Sequence, residues 1–118
     1  MTRKIESLMN EAIANGLNWK NGNTEVKTDA DNISRVYLHG NHIATIGENF
    51  VQLFDGGWQT STTKSRLNAI CDAHAIAGEG VFQKAGVWYV KQYNGPQLGF
   101  ETVKFHSGIM LGEEAMVA

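Results

Sequence analysis

The sequence holds one cysteine, Cys71, and one proline, Pro96, in 118 residues. A lone cysteine excludes an internal disulfide and fits a reducing compartment. A lone proline, in Asn94-Gly95-Pro96, marks a turn rather than a linker between domains. Neither sign of charge is in excess: ten Lys and Arg against twelve Asp and Glu leave a formal net charge of −2, which excludes the broad basic surface of non-specific duplex binders. No segment approaches the roughly 20 apolar residues of a membrane span, and Met1 to Glu6 lack the apolar run of a signal peptide. A cytoplasmic protein without membrane association is therefore expected.

Catalytic signatures are missing too. There is no Gly-x-Ser-x-Gly elbow, no His-Glu-x-x-His, no Gly-x-x-x-x-Gly-Lys phosphate loop, and no acid pair in a setting that would raise its pKa. Zinc usually needs three or four ligands, and His39 and His42, which flank a turn, find no matching spacing in His74 or His106. Neither an enzyme nor a cofactor is expected.

What is present is a globular composition, 42% hydrophobic and 19% charged, in a length suited to one domain over residues 1–118. Ile5, Leu8, Met9, Ala12 and Ile13 recur at helical spacing before Asn15-Gly16, giving a helix over 3–15. Asn18 to Asn23 reads as a loop. Thr24 to Thr28, Arg35 to His39, His42 to Ile46 and Phe50 to Phe54 alternate at strand period, and Gly40-Asn41 is the hairpin signal between the middle two. Leu67, Ile70, Cys71 and His74 mark one face of a second helix over 63–76, with Thr62 or Thr63 as its cap. Val81 to Lys84 and Val87 to Lys91 flank Ala85-Gly86 as a second hairpin. Phe100 to Phe105 is compatible with a further strand, and residues 107–118 show no period and read as a loosely held tail. The fold class is α+β: an N-terminal helix, an antiparallel meander, a helix packed on the sheet, then a C-terminal hairpin. A helix, a meander and a helix also match the order in double-stranded-RNA-binding domains, but the extra hairpin and the acidic balance do not belong there.

The segment richest in chemistry runs from Gly56 to Asn68. A helix begins here with Thr60, Thr62, Thr63, Lys64 and Arg66, and with no acid to meet the partial positive charge of its first turn. An external anion such as a phosphate would be the missing partner. Simple capping by threonine is the plainer alternative. Trp58 just ahead is either a base-stacking platform or a core residue. Cys71 and His74 invite a Cys-His reading, but they share the apolar face with Leu67 and Ile70, where free cysteine is commonly buried. Trp88 and Tyr89 point to opposite faces of one strand, so at least one faces outward.

Asn18-Trp19-Lys20 with Asn23 to Val26, then Val36-Tyr37-Leu38-His39-Gly40-Asn41-His42-Ile43-Ala44, then Asp55 to Asn68, resemble a widespread family of short tailed-bacteriophage proteins. The Leu-His-Gly-Asn and Gly-Gly-Trp-x-Thr-x-Thr-Thr-Lys-x-Arg-Leu-Asn segments carry that resemblance, which covers about residues 18–92. It implies a phage accessory protein in the host cytoplasm that counters a host defence without catalysis. On that reading Lys64 and Arg66 pair with phosphate, and Thr60, Thr62 and Thr63 donate hydrogen bonds. Trp58 stacks on a base, Asn68 closes the segment, and His39 with Asn41 read polar edges. The ligand is a nucleotide-like small molecule. The alternatives are inhibition of a host protein through the Val81–Val90 hairpin or an edge strand and, third, nucleic-acid binding. A homo-oligomer is compatible with all of them.

Overall fold

In the computed structural model, which describes residues 3–112, the chain is α+β with two helices and two antiparallel sheets. The first helix, α1 (Lys4–Ala14), is followed by β1 (Trp19–Asn21), β2 (Thr24–Thr28), β3 (Ser34–Leu38), β4 (Asn41–Ile46) and β5 (Val51–Leu53). Next come α2 (Ser61–His74), β6 (Gly80–Lys84), β7 (Val87–Tyr93), β8 (Phe100–Lys104) and β9 (Ile109–Leu111). The large sheet has the order β1-β2-β3-β4-β5-β9 and the small one β6-β7-β8.

Period decides the core. The inward residues of the large sheet include Val26, Val36, Leu38, Ala44, Val51 and Leu53, all buried, and both helices lay apolar stripes against them through Met9, Ala12, Ile13, Leu67, Ile70 and Cys71. The small sheet joins the same core through Val81, Trp88, Val90 and Phe105. Trp88 meets Phe105 edge-on at 5.4 Å, while Tyr89 turns to the opposite face. The free edge of β6 is covered by α2: Asn68 donates from Nδ2 to the Val81 carbonyl and accepts from the Val81 N–H on Oδ1, both at 2.8 Å.

Four sequence expectations need correction. Asn18 to Asn23 is not all loop, because Trp19 to Asn21 pairs with β2 and Trp19 packs against the core. The β3–β4 turn is His39-Gly40 rather than Gly40-Asn41, with φ of 51° and 78°; His and Gly tolerate this left-handed region, and the backbone twist suits a two-residue hairpin. The cap of α2 is Thr60, whose Oγ1 accepts from the Thr63 N–H at 3.1 Å, so the helix starts two residues early. The stretch after 107 is integrated rather than loose through Gly112. There Ile109 and Leu111 are buried and β9 pairs with β5, a long-range pairing that local periodicity cannot announce. The rest of the expected tail, 113–118, lies outside the described residues.

Candidate functional site

The β3–β4 turn, the β5–α2 loop and the start of α2 meet around a pocket of about 380 Å³. Its floor is Leu38 and Ile43. Ile43 reaches that floor because β4 carries a bulge: Val36 pairs with Ala44 and Tyr37 with His42, leaving Ile43 as the extra residue. Both Ile43 and Ala44 consequently turn inward. Gly56, at φ 69°, packs where an added Cβ would lie 3.1 Å from Asn41 Cβ and 3.3 Å from Ile43 Cγ2, so any other residue would strain the backbone and crowd β4.

The loop is held by one carboxylate. Asp55 accepts from the Gly57 N–H at 2.8 Å, from Ser107 Oγ at 3.1 Å and from Gln59 Nε2 at 3.4 Å. Asp55, like Leu38 and Ile43, is a lining residue that the sequence reading missed, while Gly56 opened the predicted segment without a role of its own. The Asp-Gly-Gly turn was the available signal, since Asp side chains bond the backbone two residues on. Nothing in the sequence places Ser107 there.

The structure brings His39, Asn41, Trp58, Thr60, Thr62 and Thr63 together on this one pocket. Trp58 is 72% exposed, so it is no core residue. At the start of α2, the Thr63 N–H is taken by Thr60 Oγ1 and the Lys64 N–H by the Thr60 carbonyl. The N–H groups of Ser61 and Thr62 have no partner among the described residues, as the first turn of a helix dictates.

The cations and Asn68 are not part of it. Arg66 is buried and donates from Nη1 to Glu6 Oε2 at 2.8 Å and from Nε to Thr24 Oγ1 at 3.1 Å. The acid that α2 lacks in its own first turn thus comes from α1, and Arg66 has no charge to offer a phosphate. Lys64 Nζ donates to Gln83 Oε1 of β6 at 3.3 Å. Asn68 is occupied at the edge of β6.

The other candidate chemistry resolves into packing. His42 packs against Phe54, ring centres 4.4 Å apart and tilted by 38°, and bonds Thr45 Oγ1 at 2.8 Å, away from the lining that holds His39. Burial lowers the His42 pKa, so the ring is neutral at neutral pH. Burial pushes the Cys71 thiol well up, so it is no thiolate nucleophile. Among the described residues, no group of three or more His, Cys, Asp and Glu is placed to hold a metal ion, and no helix is long and apolar enough to cross a membrane.

Fold and site together define a small α+β protein with a polar-rimmed pocket at a helix start. Residues 2–112 match the Kyanoviridae Gp96 protein family, and the chain belongs to that bacteriophage family. The match reaches beyond both ends of the 18–92 resemblance, taking in α1, β8 and β9. No curated protein and no solved structure matches the chain.

Proposed function

We propose that this phage protein is a non-enzymatic accessory factor that binds a nucleotide-like ligand in the pocket between the β3–β4 turn and α2, and thereby sequesters a host defence signal. The observation that carries this reading is the convergence of His39 and Asn41 with Trp58, Thr60, Thr62 and Thr63, from segments some twenty residues apart, on a cavity of about 380 Å³. That volume falls within the usual range for small-molecule sites. The exposed indole of Trp58 offers a stacking face, and the hydroxyls and free N–H groups at the start of α2 suit the anionic end of such a ligand. Phosphate recognition on this reading owes nothing to Lys64 or Arg66, whose partners are Gln83 and Glu6. Asp55 is already committed to the loop, which favours binding over turnover.

The test is mass spectrometry of the small molecules released by heat from protein purified out of phage-infected, defence-competent cells. A stoichiometric nucleotide is expected with the wild type. Trp58→Ala, a surface change, should weaken its binding about tenfold or more, given stacking energies of roughly 1–3 kcal/mol. An empty wild-type protein that still protects phage would overturn sequestration. A second reading, inhibition of a host protein, draws on the 72% exposure of Trp58, because exposed aromatic anchors dominate many interfaces. It predicts a stable complex with one host protein, lost on Trp58→Ala.

A further inference from the structure

The small sheet has a dry face and a wet one, and the wet one is chemically unusual. Register places Phe82 opposite Tyr89 and Lys104, Tyr93 opposite Phe100, and Lys84 opposite Val87, with Lys91 between the two tyrosines. All of these side chains share the face that points away from Val81, Trp88 and Val90. Phe82 and Tyr89 stack at 5.7 Å and 25°, while Tyr93 and Phe100 lie 5.1 Å apart. Phe82 and Phe100 remain 37% and 43% exposed. Lys91 Nζ sits 4.9 Å from the Phe100 ring centre. Phe100 in turn rests over Gly78, where a Cβ would meet its ring at 2.7 Å, so its position is built rather than incidental.

Charge separates this face from the outer surface of the large sheet. There Glu25 and Asp29 alternate with Lys20, Lys27 and Arg35, and Asp29 bridges Arg35 at 3.0 Å. On the small sheet the outward positions of β6, β7 and β8 carry lysine and no acid. Of the carboxylates nearby, Glu79 is buried and accepts from the Ile76 and Tyr93 N–H groups, and Glu101, exposed on β8, stands opposite Gln92 on the other face of the sheet. In a chain of net charge −2, such a local excess of ammonium groups among ring faces complements an occupant that is polyanionic and presents flat aromatic surfaces.

We propose that the outer face of β6-β7-β8 binds single-stranded nucleic acid. The two aromatic pairs are centred on Tyr89 and Tyr93, about 13 Å apart along β7 at roughly 3.3 Å per residue, and serve as stacking platforms for unpaired bases. Lys84, Lys91 and Lys104 pair with the backbone phosphates. A duplex keeps its bases stacked inside and cannot use the rings. An acidic protein segment satisfies the lysines but gains little from the aromatic pairs. This surface is distinct from the pocket at the start of α2, and neither requires the other.

The test is fluorescence anisotropy of labelled oligothymidine, oligouridine and a mixed-sequence duplex with the full chain at about 50 and about 200 mM salt, with polyglutamate as competitor. Expected are binding of the single strands, a preference over duplex, weak competition by polyglutamate, and affinity that falls with salt. The combined variant K84A/K91A/K104A removes exposed charges from outside the core. It should bind about tenfold or more weakly, with a log–log salt slope shallower by about 2, from roughly 0.7 per phosphate contact. Phe82→Ala should cost about tenfold in affinity and leave that slope unchanged. The ratio of oligothymidine to oligouridine binding tells whether the strand is DNA or RNA. Absent single-strand binding, equal binding of the duplex, displacement by polyglutamate at equal charge, or full affinity in the triple-lysine variant would each overturn the assignment.

Discussion

Arg66 and Glu6 form a pair whose side chains are 4% and 3% exposed, and the burial of two charges is offset by hydrogen bonds to Glu6 from Ser65 and the Arg3 N–H and from Arg66 to Thr24 and Asn23. Burial alone pushes the Glu6 carboxyl up. Hydrogen bonds from Ser65 and Arg66, one from the Arg3 N–H, and the Arg66 charge outweigh that and hold its pKa below the ordinary 4.5. A carboxyl with a depressed folded-state pKa contributes stability that is present above its unfolded value and lost as pH falls through the folded one. Acid should therefore destabilise the protein through this group below about pH 4.5, and Glu6→Ala should cost about 3–5 kcal/mol at neutral pH by stranding Arg66. Urea unfolding across pH 3–7 measures both, and an unchanged acid limb in the variant would refute the assignment. The same pair explains why the sequence misleads at Arg66. The chain shows Lys64 and Arg66 beside a helix start and nothing acidic nearby, and the compensating charge sits sixty positions away in sequence. Thr60, Thr62 and Thr63 could be placed at a helix start because that start is local, although which of them caps it could not; Trp58 was left open between surface and core, and Asp55 showed only as a turn former.

At the scale of elements, sequence pattern and turn signals found both helices and the strands β2 to β7, and left Phe100 to Phe105 only compatible with a strand, since β8 is exposed along most of its length. They missed β1 and β9, three residues each, which lack the Phe50 to Phe54 alternation that announced the equally short β5. Both are defined by partners: β1 by the hairpin into β2, and β9 by β5 across an intervening helix and sheet. Leu111 is fully buried and pairs with Val51, so β9 is part of the core. Leu111→Ala should lower unfolding free energy by about 2–5 kcal/mol. Denaturant titration decides this; a loss under about 0.5 kcal/mol, the usual scale for surface positions, would return the segment to the status of a tail.

For the whole molecule, one apolar cluster includes residues from both helices and both sheets, so the two sheets should not unfold separately. Cys71 reports on that directly. It is buried in α2 as part of that cluster, and burial holds the thiol in its neutral, unreactive form. Labelling by an aromatic disulfide reagent should be slow in native buffer and should accelerate in step with global unfolding as denaturant rises. Fast labelling with no denaturant dependence would show that α2 opens on its own. The chain leaves the large sheet at Leu53 and re-enters it at Ile109, its direct partner in the β5–β9 ladder. Everything between them, α2 and the whole small sheet, is one closed excursion from a single pair of neighbouring strands. The pocket straddles its start, with Leu38, His39, Asn41 and Ile43 from the meander and Asp55, Gly56, Trp58, Thr60, Thr62 and Thr63 from the excursion, whose later strands carry Phe82, Lys84, Lys91 and Lys104. Both surfaces therefore rest on the one seam where the excursion closes, and a change that opens the β5–β9 ladder disturbs them together.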